Sequence, residues 1–356
     1  MRQFSLWVLL VVLAVGAVWY SLRAKQTSQP FEQEIKVGLI LPLTGPAASI
    51  GELFKNSMEW KAEQLRSEGI PIRLYIEDTA SDPKHAITAF QKLQSIHGVR
   101  LFYTTLSSAS VALLPLAEKE NVLLSAGATH PALTNGTKHV LRHANVITHD
   151  ALLIRDFARD RQLQKVGLVF QQDDWGLAMG DNIQKLLKAE GITTATETIL
   201  VGATDTRSSL AKVLSSKPDA IVLGAIGPTA GLLVKQAREQ GYQGILYSSV
   251  GFVLTPDATK IAGESAKGMW YQTYVRNVAF EEAYKERFGH APGIVSFATY
   301  TDLELLAAAI RVTQSTDPSK LVPYIKKLGT FQGTYEKVRI NPNGDILLDT
   351  VVQVWK

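Results

Sequence analysis

Residues 99–129 read VRLFYTTLSSASVALLPLAEKENVLLSAGAT. The apolar run from Val99 to Tyr103 is strand-like and feeds the loop Leu106-Ser107-Ser108-Ala109-Ser110. A helix-like stretch from Ser110 to Glu120 follows, and a second strand, Val122 to Ser125, delivers Ser125-Ala126-Gly127-Ala128-Thr129. Strand, helix and strand in this order make a parallel unit, so both loops fall at the carboxyl edge of one sheet, where open α/β folds bind ligands. Ser107 and Ser108 then lie beside a helix N-terminus, whose free N–H groups and dipole attract carboxylates. Serine and threonine are equally favoured as N-caps with no ligand at all. The two loops by themselves leave both readings open.

Working outward, the same alternation recurs on either side. Val37–Leu41, Gly51–Glu68, Ile72–Ile76 and Pro83–Ile96 alternate strand and helix, with Gly69, Pro71 and Gly98 as stop signals. A second series begins after Asp150: helix Ala151–Arg161, strand Val166–Phe170, helix Leu177–Glu190, strand Ile192–Leu200, strand Ala220–Leu223, helix Thr229–Gln240 and strand Ile245–Tyr247. Two α/β units therefore stand in tandem, joined near Arg142–Thr148, in keeping with a chain of 356 residues. The tail departs from this alternation. It carries helices Phe280–Phe288, Ser296–Gln314 and Ser319–Lys327, then strand-like runs Gly333–Ile340 and Ile346–Trp355 around the turn Asn341-Pro342-Asn343-Gly344-Asp345.

Charge and composition remove several classes of function. Of 37 lysines and arginines, Arg2, Arg23 and Lys25 sit at the N-terminus, and the remaining 34 are balanced by 33 acidic residues, which argues against nucleic acid. There is no cysteine, hence no disulfide, thiolate metal site or lipid-modified cysteine. The run from Phe4 to Tyr20, broken only by Ser5 and Gly16, targets a membrane. Trp19, Tyr20, Arg23 and Lys25 resemble an interfacial flank and favour an uncleaved anchor over cleavage at Val15-Gly16-Ala17. Ala24–Gln33 reads as a tether, which places the body in the periplasm or outside the cytoplasm, tethered to the inner membrane.

Enzyme signatures are weak. Gly263-Glu264-Ser265-Ala266-Lys267 lacks the closing glycine of a nucleophile elbow, and Gly224-Ala225-Ile226-Gly227 matches neither the dinucleotide fingerprint nor the phosphate loop. His139, His143 and His149 with Asp150 have no established zinc spacing and read as surface histidines around a crossover. Asn135-Gly136-Thr137 matches a glycosylation acceptor, a pattern short enough to recur by chance. Asp173 and Asp174 beside Trp175 suit a cation or an ammonium group, and at least one caps the helix that follows. The expectation is no catalytic residue, no metal and no cofactor. A hydrolase using Ser107 or Ser265 lacks a placed base and an oxyanion partner.

Four stretches carry a family resemblance: Ile35-Lys36-Val37-Gly38 with Leu43-Thr44-Gly45-Pro46; Asp78 with Asp82-Pro83; Ser125 through Thr134; and Ile261-Ala262-Gly263-Glu264-Ser265-Ala266-Lys267-Gly268. In this order and spacing, from Ile35 to Lys356, the chain resembles the branched-chain amino-acid-binding family of periplasmic solute receptors. That resemblance implies two Rossmann-like lobes with parallel sheets flanked by helices, joined by three crossovers and here preceded by an N-terminal apolar helix. It divides the chain into an anchor or signal peptide with tether over 1–33, a first lobe of 34–144 and 277–330, and a second lobe of 145–276 and 331–356.

The resemblance also implies the site. In such proteins the first lobe grips an amino acid's carboxylate and amino group, and the matching positions here are Ser107, Gly127 and Thr129, with Ser108 and Ala128 beside them. Trp175 matches an aromatic position of the second lobe, a second aromatic position falls on Ile226, and Tyr300 completes the set of expected contacts. The family's ammonium-pairing acid falls on Val250, which favours a ligand with a carboxylate and an apolar body over an ordinary α-amino acid. Asp174 is the candidate replacement acid, so both ligand classes stay open. The implied partner is the permease of an ABC importer, with a membrane sensor as the alternative.

Overall fold

The computed structural model describes residues 33–356, which form two lobes, each a twisted sheet covered on both faces by helices. The apolar run expected to form an N-terminal helical anchor and most of the expected tether lie outside these residues. Among the described residues no helix is long and apolar enough to cross a membrane.

The first lobe begins with β1 (Ile35–Leu41), α1 (Ala48–Ser67), β2 (Ile72–Asp78), α2 (Pro83–His97), β3 (Leu101–Thr105), α3 (Ser107–Glu120), β4 (Leu123–Gly127) and β5 (Val140–His143). β1, β3 and β4 are buried almost end to end, as strands must be when helices cover both sheet faces. Local signals set the boundaries of α2: Asp82 accepts from the Lys84 N–H, Pro83 opens the helix, and Gly98 ends it at φ 65°. The second lobe holds α4 (Ile147–Asp160), β6 (Lys165–Gln171), α5 (Asp174–Ala189), β7 (Thr193–Ile199), α6 (Arg207–Ser215), β8 (Ala220–Gly224), α7 (Gly227–Glu239), β9 (Ile245–Ser248), α8 (Pro256–Ala262) and β10 (Trp270–Tyr274). The chain then returns with α9 (Val278–Phe288), α10 (Ser296–Thr313) and α11 (Pro318–Lys327), followed by β11 (Thr330–Gln332), β12 (Lys337–Ile340), β13 (Asp345–Leu347) and β14 (Thr350–Val354).

The strand order is β11-β12-β13-β5-β4-β3-β1-β2 in the first sheet and β14-β10-β9-β8-β6-β7 in the second. This corrects the assignment of 331–356 to the second lobe, because only β14 joins that sheet, antiparallel to β10. β13 lies parallel to β5 and is locked there by a buried ion pair, Arg142 to Asp345 at 2.6 Å, with Thr134 donating to the same carboxylate. The apparent single strand Ile346–Trp355 is therefore two strands in different lobes, separated at Leu348-Asp349.

Those two residues are the third crossover. The first is 144–146 and the second is 275–277, and hydrogen bonds stitch all three together. The Asn145 amide donates to the Leu348 carbonyl at 2.8 Å and to the Thr350 hydroxyl at 2.7 Å, while the Val275 N–H donates to the Asp349 carbonyl at 2.9 Å. The first lobe holds an aromatic cluster of Trp60, Phe280, Tyr284 and Tyr300, which Val250 of the second lobe joins.

Candidate functional site

The carboxyl edges of both sheets face one partly open cavity of about 80 Å³, several times the ~10–15 Å³ that one water requires. Ser107, Gly127, Ala128 and Thr129 line it from the first lobe, and Trp175, Ile226 and Val250 from the second. The two loops of residues 99–129 thus share one space, as their placement on a parallel sheet requires.

The first-lobe wall is built to meet an anion. α3 begins at Ser107 rather than Ser110, and its N-cap is Leu106, which supplies no capping side chain. The first helical bond back to the cap is from the Ser110 N–H to the Leu106 carbonyl at 3.0 Å, so the N–H groups of Ser107, Ser108 and Ala109 precede it. The reading of these serines as ordinary caps is therefore not what the structure shows. Leu106 itself sits at φ 69° and ψ 136°, a conformation costing on the order of 1–3 kcal/mol for a residue with a side chain. Across from it, the Thr129 hydroxyl is buried with no hydrogen-bond partner. Gly127 has a steric reason: a Cβ there would lie 2.7 Å from the Phe54 ring, which packs against the strand end and lines the cavity.

The second-lobe wall is mostly apolar, with one acid. Gln171, at the end of β6, accepts from the Ile226 N–H at 3.1 Å and donates to Asp173 at 2.6 Å, tying two cavity loops together. The other Asp173 oxygen caps α5 by accepting from the Gly176 N–H at 2.7 Å. Burial pushes the Asp173 carboxyl up, against the lowering effect of those two donors. Asp173, not Asp174, lines the cavity, and Asp174 is exposed. The replacement acid expected at Asp174 is corrected accordingly, because the cap geometry turns Asp173 inward and leaves its neighbour on the outer face of the first helical turn.

Beneath the cavity, His143 Nδ1 lies 2.8 Å from Asp302, both fully buried. Burial is the largest single influence and opposes charge on the imidazole, but Asp302, Glu336 and the Ala298 backbone together outweigh it and the histidine is raised overall; Asp302 is raised by burial. The surface position expected for His143 is thus corrected: β5 carries it into the floor of the cavity.

Two expected contacts lie elsewhere. Tyr300 is absent from the cavity wall, since Ala298, Thr299 and Asp302 present the lining face of α10 and Tyr300 falls two residues past Ala298, about 200° around the helix. Its ring packs 5.0 Å from Trp60, and its hydroxyl donates to Gln64. Ser108 is turned about 100° from Ser107 by the helix and is likewise off the wall. Phe54, Gln171 and Tyr274 line the cavity without having been singled out in the sequence. Gln171 had a signal, a polar residue closing an apolar strand, whereas Phe54 and Tyr274 had none.

The chain is similar in sequence and fold to several known proteins. The leucine-, isoleucine-, valine-, threonine- and alanine-binding protein of Pseudomonas aeruginosa is 24% identical over 337 residues, covering 90% of each chain. A leucine-binding protein of Thermotoga maritima superposes with a TM-score of 0.84 at 24% identity, covering 90% of this chain and 95% of that one. A solute-binding protein of an ABC transporter from Rhodopseudomonas palustris, in complex with 3,4-dihydroxybenzoic acid, gives 0.80 at 21% identity over 91% and 93%. The periplasmic binding protein family model matches residues 34–352, and the chain belongs to that family.

Proposed function

We propose that this protein is an extracytoplasmic receptor that closes its two lobes on a small carboxylate with an apolar body, for delivery to an ABC-type importer. The observation that carries the reading is the pairing of two unlike walls. The uncapped start of α3 and the unpartnered Thr129 hydroxyl offer donors to a carboxylate, while Ile226 and Val250 opposite offer only hydrocarbon. Both walls contact a ligand only when the lobes are together, so binding shifts the population toward the closed form. A solved relative holding a benzoic acid derivative and curated relatives named for branched-chain amino acids bracket the ligand class. Val250 supports the carboxylate over the α-amino acid here, because an α-ammonium brought against it must lose water with no partner on that side chain.

The test is competition binding of leucine against its keto acid, 4-methyl-2-oxopentanoate, on wild type and Val250→Glu. The keto acid should win on wild type and leucine on the variant, since the new carboxylate attracts the ammonium and repels a ligand without one. Tight leucine binding by wild type would overturn the preference.

A further inference from the structure

The cavity's single acid on the second lobe has an unmet requirement. Asp173 spends one oxygen on the Gly176 N–H and the other on the Gln171 amide, and each carboxylate oxygen has two lone pairs, so about two acceptor positions remain. The charge that acts on it is the repulsive one of Asp174. Of its neighbours on the wall, Ile226 and Val250 have no side-chain donor, and only the Trp175 indole N–H and the Tyr274 hydroxyl could donate. A ligand that fills the cavity strips water from those acceptors. If its far end is hydrocarbon, a carboxylate is left desolvated and short of donors, which is a heavy cost.

Resting on the carboxylate reading above, we propose that Asp173 is a specificity-determining residue that selects ligands carrying a hydrogen-bond donor at the end opposite their carboxylate. The lobes fix the polarity: the anion sits on the first lobe at α3 and Thr129, and Asp173 repels it from the second. The donor therefore reaches across the cleft, and its bond to Asp173 exists only when the lobes are closed. Gln171 is the positioning residue, because its amide holds Asp173 and the Ile226 loop in one arrangement. A hydroxyl on an aromatic or aliphatic acid satisfies the requirement; a methyl of the same size does not.

Calorimetry on the whole protein with benzoate, 4-hydroxybenzoate, 4-methylbenzoate, their 3-substituted isomers and leucine tests this. At least one hydroxy acid should bind wild type about ten-fold or more tighter than its methyl isostere, the range for a hydrogen bond to a charged group. Asp173→Ser keeps a side-chain oxygen to cap α5, and Asp173→Asn keeps the shape; in both, that ratio should fall to about three-fold or less while circular dichroism and melting confirm folding. Equal binding of hydroxy and methyl acids by wild type, or an undiminished ratio in both variants, would overturn the role of Asp173 and leave the carboxylate reading intact. Failure of every acid, benzoate included, would strike the carboxylate reading itself. Tight leucine binding lost in Asp173→Asn would overturn the far-end placement by making Asp173 a partner of the α-ammonium.

Discussion

Thr129 shows how a single side chain separates binding from stability. Its hydroxyl is buried at the cavity without a partner, so Thr129→Ala removes no internal hydrogen bond. Ser107 forms no side-chain bond that fixes α3. Each alanine variant should weaken carboxylate binding by roughly 1–3 kcal/mol, measured calorimetrically, with denaturant midpoints close to wild type. Asp150, in the first turn of α4, is the opposite case. It is buried, neither carboxylate oxygen has a partner, and burial pushes its carboxyl up to about 7 from 3.8. A native-state value above the unfolded one means the folded protein holds the proton. The stability this represents is intact below about pH 4 and is lost as pH rises through about 7. Asp150→Asn should abolish that loss, leaving the variant more stable than wild type at pH 8 by up to about 4 kcal/mol, the value of the full shift. His143, also raised, changes in the same direction, so the informative quantity is the difference between wild type and variant in urea unfolding at pH 5 and pH 8. Identical pH dependence in the two proteins would refute it. Asp150 and Asp173 also mark what a sequence conceals: Asp150 read as part of an exposed histidine cluster, and the choice between Asp173 and Asp174 rests on which one the first turn of α5 rotates inward.

At the scale of elements, the start of α5 is the most constrained junction of the site. A Cβ on Gly176 would lie 2.0 Å from the Gln171 carbonyl oxygen and 3.2 Å from the Asp173 cap. Gly176→Ala should force the helix start away from β6, costing about 2 kcal/mol or more in stability and displacing Trp175 and Asp173 together, so ligand affinity falls in the same variant. A fully stable, fully binding Gly176→Ala would show that the close approach is not needed. Elements with strong local signals were legible: α2 announces its ends with Asp82-Pro83 and Gly98, and central strands such as β1 and β8 are nearly continuous apolar runs. The C-terminal strands were not. Ile346 through Trp355 has no residue that breaks a strand pattern strongly, and which sheet each half joins is set by pairing partners some two hundred residues away, Arg142 for β13, and by β10 for β14. Ser107, Gly127 and Thr129 were legible as cavity-lining residues because a parallel sheet must bring its strand ends to one edge, whereas Trp175, Ile226 and Val250 were reached only through the family resemblance. Tyr300 was misplaced because its helix has apolar residues on nearly every face, which hides its orientation.

For the molecule as a whole, the lobes also approach each other between the Pro46 and Gly202 loops, away from the crossovers. Gly202, at φ 74° after β7, brings its Cα so close to the Pro46 loop of the first lobe that a Cβ would lie 3.0 Å from the proline ring. Asparagine tolerates that backbone conformation, so Gly202→Asn adds bulk at the lip with little backbone strain. It should weaken carboxylate binding about three-fold to ten-fold by opposing closure, with the melting of the unliganded protein little changed. Unaltered affinity would show that the lip does not limit closure. The route of the chain has a different consequence, for the order of assembly. Residues 345–354 complete both sheets at once, β13 filling the slot between β12 and β5, and β14 pairing with β10. During synthesis, a ribosome that has released the first three hundred residues has finished neither lobe. Both cores must wait for the same late strands, and this non-local pairing slows collapse into the native topology. Loss of residues 345–354 would leave β5 and β10 each with an unpaired edge, so truncation there threatens aggregation of the whole chain rather than trimming of one lobe.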